Sequence, residues 1–181
     1  MKTKLIIISF FLILVSGCTK NIAPVAPDIE NEPNRLFISS FESNGNASMD
    51  GWISPGPPIV KFSINVPQGG GNFSIYLKAR ILGAYVSKNI QALTGLHNYR
   101  LTFWSKSTED PGSLAIYKLN NNSKTLLKIQ FITENNWTKY TIDFELNASS
   151  SENIQIMLGG SDFASPQGYT YFDLIDLQNI D

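Results

Sequence analysis

Residues 99–106 read YRLTFWSK, and alternate positions in this octet are suited to opposite environments. Tyr99, Leu101 and Phe103 fall on one side, Arg100, Thr102, Trp104 and Lys106 on the other, which is the period-two pattern of a half-buried β-strand. Residues 137–146 repeat it, with Tyr140, Ile142, Phe144 and Leu146 in phase. Shorter runs of the same texture occupy 36–42, 59–66, 73–78, 84–90, 114–119, 125–132, 153–158 and 169–177. Turn chemistry separates them: GGGN at 69–72, DPGS at 110–113, NNNS at 120–123 and ENN at 134–136. No segment carries a helical stripe with caps. Short strands at this spacing predict an all-β fold, a two-sheet antiparallel β-sandwich, with a small barrel as the alternative.

The first residues have a different texture. Lys2 and Lys4 precede an uncharged run, LIIISFFLILV at 5–15. That run is short of the roughly 20 apolar residues of a membrane-spanning helix and fits the core of a secretory signal. It leads into Val15-Ser-Gly-Cys18, which resembles the lipobox of bacterial lipoproteins. The resemblance implies cleavage after residue 17, a lipid on Cys18, and a place in the bacterial cell envelope. Thr19 follows in place of a retention aspartate, which favours the outer membrane where the cell has one. Cys18 is the only cysteine, so no intrachain disulfide can form. Residues 18–34 hold three prolines and no aromatic residue, the composition of an extended tether. The expected organisation is thus a signal at 1–17, a lipidated tether at 18–34 and one β-sandwich domain at 35–181.

Charge narrows the partners. The chain carries 14 basic and 15 acidic residues, and two of the lysines fall in the signal. The remainder is slightly acidic and has no Lys/Arg cluster, which argues against nucleic acid.

The order of landmarks along the domain resembles a known group. Phe41-Glu42 and Asp50-Gly51-Trp52 come early, then AYVSKNI at 84–90, the turn GLHN at 95–98, YRLTFWSK, WTKYTIDF at 137–144, and YFDLIDL at 171–177. This resembles the galactose-binding-like jelly rolls, especially carbohydrate-binding modules of families four, nine and twenty-two. It implies jelly-roll topology and capture of a poly- or oligosaccharide. It also implies a structural calcium between the early Phe-Glu and the C-terminal strand, which nominates Glu42 and Asp173, with Asp50 as a weaker third ligand and backbone carbonyls completing the shell.

Sugar capture needs flat rings on the strand face opposite the core, where they meet pyranose C–H groups. Trp104, Tyr76 and Tyr117 have that phase, Tyr85 is a weaker fourth, and Arg100 is a polar companion. Trp52 and Trp137 are expected to pack in the sandwich interior. Catalysis has little support: His97 is the only histidine, no Gly-x-Ser-x-Gly elbow occurs, and carboxylate pairs such as Asp143/Glu145 lie on ordinary strands. The expectation is a non-catalytic, lipid-anchored carbohydrate-binding module. A structural or adaptor lipoprotein that docks another envelope protein through its outward aromatics is the second reading.

Overall fold

The computed structural model describes residues 34–54, 60–78, 85–121, 123–160 and 168–181. The expected signal, Cys18 and the expected tether up to residue 33 lie outside them. Among the described residues twelve strands run in the order β1 (Arg35–Ser39), β2 (Glu42–Ser43), β3 (Asn46–Ala47), β4 (Val60–Ser63), β5 (Ser74–Lys78), β6 (Tyr85–Gln91), β7 (Gly95–Ser107), β8 (Gly112–Asn120), β9 (Ser123–Ile132), β10 (Thr138–Ala148), β11 (Glu152–Gly159) and β12 (Tyr169–Asn179).

Two antiparallel sheets form a sandwich. The larger has the order β10-β7-β12-β5-β4, with β1 paired to β12; the smaller has the order β6-β11-β8-β9. From β5 onward the chain changes sheet at every connection except β8 to β9, so the two inner faces are built together. The first half of β12 pairs with β5 and its second half with β1, and the β7 register slips between Asp173 and Asp176 at that seam.

The alternation decides what is buried. Tyr99, Leu101, Phe103, Phe172, Leu177, Ile75 and Leu77 from the six-stranded sheet meet Val86, Leu114, Ile116, Ile154, Ile156 and Leu158 from the other, all fully buried in one cluster. Each such side chain contributes roughly 1.5–3 kcal/mol. Cross-strand stacks reinforce the β7–β10 pair: Tyr99 on Phe144 and Phe103 on Tyr140, both at 5.2 Å between ring centres.

Trp52 is interior, as expected. Its ring packs on Phe37 and Phe41 at 5.9 and 5.8 Å, and its Nε1 donates to Ser39 Oγ at 3.2 Å. Trp137 corrects the expectation. It is half-buried on the outer side of the six-stranded sheet, against Tyr171 at 6.1 Å, with Nε1 donating to Asn65 Oδ1. The reason is phase: β10 buries its even-numbered residues, and Trp137 shares the outward phase of Lys139, Thr141 and Asp143.

Candidate functional site

The core fills the inner faces, which leaves the outer faces of the two sheets as the described strand surfaces open to a ligand. On the four-stranded sheet the register lines up side chains in cross-strand rows. The first row runs Tyr85–Gly159–Ser113–Phe131, the second Ser87–Met157–Ala115–Ile129, the third Asn89–Gln155–Tyr117–Leu126. The large side chains of the first row stand on the two edge strands, and its middle positions are a glycine and a serine. A Cβ on Gly159 would stand 3.3 Å from Ser113 Oγ. The row is therefore a trough with aromatic walls and a small-residue floor, closed at one end by Tyr117.

One cation overlooks it. Lys124 Nζ lies 3.9 Å from the Tyr117 ring centre and 5.8 Å from that of Tyr85, which holds the two rings within about 10 Å of each other. The same ammonium contacts Met157 Sδ, and its burial among these groups lowers the Lys124 pKa. A shallow open hollow of about 270 Å³, lined by Leu119, Asn120, Asn121, Ser123 and Lys124, adjoins it. Polar groups are at hand: Gln155 Nε2 donates to Asn89 Oδ1 at 2.9 Å, while Gln155 Oε1 is buried without a partner. Together these give ring faces for sugar C–H groups, donors and acceptors for hydroxyls, and an ammonium that must turn aside or hydrogen-bond when a ligand enters.

The five ring and polar residues nominated from sequence are divided between two opposite faces. Tyr85 and Tyr117 line the trough. Tyr76, Trp104 and Arg100 lie on the outer side of the six-stranded sheet. Arg100 is engaged there, donating through Nε and Nη2 to both Asp143 oxygens at 2.8 and 2.7 Å. Phe131, 59% exposed, and Met157 were not nominated. The β8–β9 register slips between Ile116 and Tyr117, which puts Phe131 out of step with a simple count from the start of β9.

The carboxylates behave differently. Asp173 is fully buried at the seam of β12. Its Oδ1 accepts from Leu174 N at 2.7 Å, and its Oδ2 has no partner. Burial pushes its pKa from 3.8 up to about 8; the Leu174 N–H opposes this and the nearby Glu42 charge adds to it. Glu42 Oε1 accepts from the backbone N–H groups of Asn72 and Phe73. Gly70 and Gly71 leave room for both side chains, since a Cβ on Gly70 would stand 2.8 Å from Asp173 Oδ2 and one on Gly71 would meet the Glu42 carboxylate. Each carboxylate adjoins a large residue held at positive φ, Phe41 at 57° and Leu174 at 48°. Such strain persists only where its surroundings enforce it. Asp50 does not join them: it is exposed, its carbonyl accepts from Lys88 Nζ at 2.7 Å, and among the described residues no three His, Cys, Asp or Glu side chains gather as a metal cluster.

Residues 34–162 match the profile of a carbohydrate binding domain, the grouping of families four and nine. The chain belongs to this family. The carbohydrate-binding domain also shares its fold with solved sugar-binding modules. One is the family-22 module joined to a catalytic module of a Clostridium thermocellum xylanase, in complex with xylohexaose, at TM-score 0.57 and 15% identity over 82% of this chain and 29% of that one. Another is a xylan-binding domain of family 22 from a Paenibacillus barcinonensis xylanase, at TM-score 0.56 and 13% identity, covering 82% of this chain and 96% of that one. A third is a family-16 carbohydrate-binding module, at TM-score 0.50 and 26% identity, covering 75% and 96%. A search of curated proteins finds no match. In the first relative the carbohydrate-binding module and the catalytic module are separate parts of one chain, and this chain spans under a third of its length.

Proposed function

We propose that this carbohydrate-binding domain is a non-catalytic module that captures neutral β-linked oligosaccharide in the trough of the four-stranded sheet. The observation that carries the reading is the row Tyr85–Gly159–Ser113–Phe131, walled by rings and floored by small residues. Family membership supports the ligand class, and the xylohexaose complex and the xylan-binding relative support xylo-oligosaccharide as the first probe. Calorimetric titration of the purified chain with xylohexaose is the test. Tyr117→Ala, Phe131→Ala and Gly159→Leu should each weaken binding with folding intact; unchanged affinity in all three would refute the assignment. The exposed Leu126 and Ile129 beside the trough support the second reading, docking of an envelope protein. That partner would be held by wild type in the presence of saturating xylohexaose, whereas a glycan site would release it.

A structural calcium belongs to the same reading. A buried Asp173 oxygen without a partner, with Glu42 beside it, fits a hard cation better than an apolar core. Glu42 and Asp173 would hold it with backbone carbonyls, and it would tie β12 to the segment after β1. The chain is also proposed to be anchored in the cell envelope through lipid on Cys18, in the outer membrane where one exists. Metabolic labelling with palmitate, lost in Cys18→Ala, checks that.

A further inference from the structure

The outer face of the six-stranded sheet carries a row unlike any in the trough. Lys61 of β4 is opposite Tyr76 of β5, Tyr76 is opposite Tyr171 of β12, and Tyr171 is opposite Lys106 of β7. Continuing the β7–β10 register by one residue places Trp137 beyond Lys106. The sequence of side chains across the sheet is thus Lys–Tyr–Tyr–Lys–Trp. The rings touch: Tyr76 and Tyr171 at 5.4 Å, Tyr76 and Tyr169 at 5.1 Å, Trp137 and Tyr171 at 6.1 Å. Lys106 Nζ sits between Trp137 and Tyr171, 5.3 and 4.9 Å from their centres.

The neighbouring rows add Lys78 opposite Tyr169 on one side, and Trp104 with Lys139 and the buried Asp173 on the other. Among the described residues no ion pair involves Lys61, Lys78, Lys106 or Lys139. Four ammonium groups therefore share a ring-paved strip; among the described residues its carboxylates are the fully buried Asp173 and the adjacent Glu42, whose Oε1 already accepts from the Asn72 and Phe73 N–H groups. Lys106 is partly desolvated with no anion to compensate, which lowers its pKa. The Trp137 ring is held at its edge, where Nε1 donates to Asn65 Oδ1.

We propose that this strip is a second glycan-binding site, opposite the trough, for a uronate-bearing oligosaccharide. Rings stack on the sugar faces while Lys61, Lys78, Lys106 and Lys139 meet carboxylates along the chain. The strip requires nothing of the trough, and the two sites can be tested apart.

The experiment is calorimetric titration of the purified full chain with three anionic probes: oligogalacturonate, oligomannuronate and glucuronate-substituted xylo-oligosaccharide. Fully methyl-esterified oligogalacturonate serves as the uncharged control, and xylohexaose reports the trough. At least one anionic probe should bind, more weakly as salt rises. Lys106→Gln, which keeps the stem and removes the charge, should weaken that binding about tenfold, and Trp137→Ala at least as much. Tyr117→Ala should leave it unchanged and affect xylohexaose alone. Absence of binding by all three anionic probes overturns the proposal. So do equal affinity for the methyl ester, indifference to Lys106→Gln, and loss of anionic binding in Tyr117→Ala. Failure of xylohexaose with retention of an anionic probe would count against the trough and leave the strip standing.

Discussion

Asp173 makes the stability of the metal-free protein depend on pH in a direction opposite to that of most paired carboxylates. In the unfolded chain its proton is lost near 3.8, and in the fold it is held up to about 8. Between those values the folded state binds one proton more, so stability falls as pH rises, by about 1.4 kcal/mol per pH unit. Across the whole interval the loss is on the order of 6 kcal/mol, comparable with the 5–15 kcal/mol of a whole domain. Below the lower value Asp173 contributes no slope, and above about 8 the loss is complete.

A cation bound at Asp173 and Glu42, as proposed, would remove this penalty by favouring the ionised form. The assay is urea unfolding in EDTA from pH 4 to 9, followed by the fluorescence of the buried Trp52, then repeated in millimolar calcium. Asp173→Asn keeps the acceptor for the Leu174 N–H and cannot ionise. Relative to it, wild type should lose several kcal/mol between pH 4 and 8 in EDTA and recover them in calcium. Glu42→Gln, which removes the smaller cause of the raised pKa, should give a shallower slope. If wild type and Asp173→Asn follow the same pH curve in EDTA, or gain equally from calcium, the reasoning fails.

Trp52→Ala removes two ring contacts and the bond to Ser39, and should cost about 3–5 kcal/mol in urea unfolding. Gly112→Ala would bring a Cβ within 2.7 Å of the Gly159 carbonyl oxygen, and should lower stability by about 1–3 kcal/mol in the same assay. The hydrogen bond to Asp181 raises the pKa of His97 above 6.5, so the link between the C-terminus and the start of β7 stabilises the fold below pH 6.5 and fades as pH climbs through the raised value. His97 is the only histidine, so one imidazole resonance reports it; Asp181→Asn should bring its midpoint down, and an unchanged midpoint would contradict the contact.

Most of the fold was legible because alternation and burial are the same fact seen twice. Ten stretches read as strands from their period, and the structure places β1 and β4 to β12 over them, with ends moved by a few residues. The hairpin of β2 and β3 escaped because two-residue strands have no period to read. Its signal lay in the turn: Asn44-Gly45, both at positive φ, is the dipeptide that a tight hairpin favours. Trp137 was legible by phase, since it continues the outward positions of β10, but was expected in the interior. The burial of Asp173 was not legible. Its phase puts it outward beside Trp104, and only the distant Glu42 and Gly70 close over it.

The two outer faces differ in charge as well as shape, and that difference constrains what the whole domain can do. The three trough rows contain no ionisable carboxylate or ammonium, and Lys124 reaches them only from the edge strand. The strip on the other side interleaves four lysines with its rings. A neutral chain gains little from those ammonium groups, and an anionic one meets in the trough the ammonium of Lys124 alone among the described residues. The faces point away from each other across two sheets packed about 10 Å apart, so one stiff polysaccharide cannot lie on both at once. Two chains bound on the two sides would be held together by the domain, with no ligand shared between the sites. The pair of sites then raises affinity only in a network where both glycans are already close, the condition under which linked weak binding becomes strong.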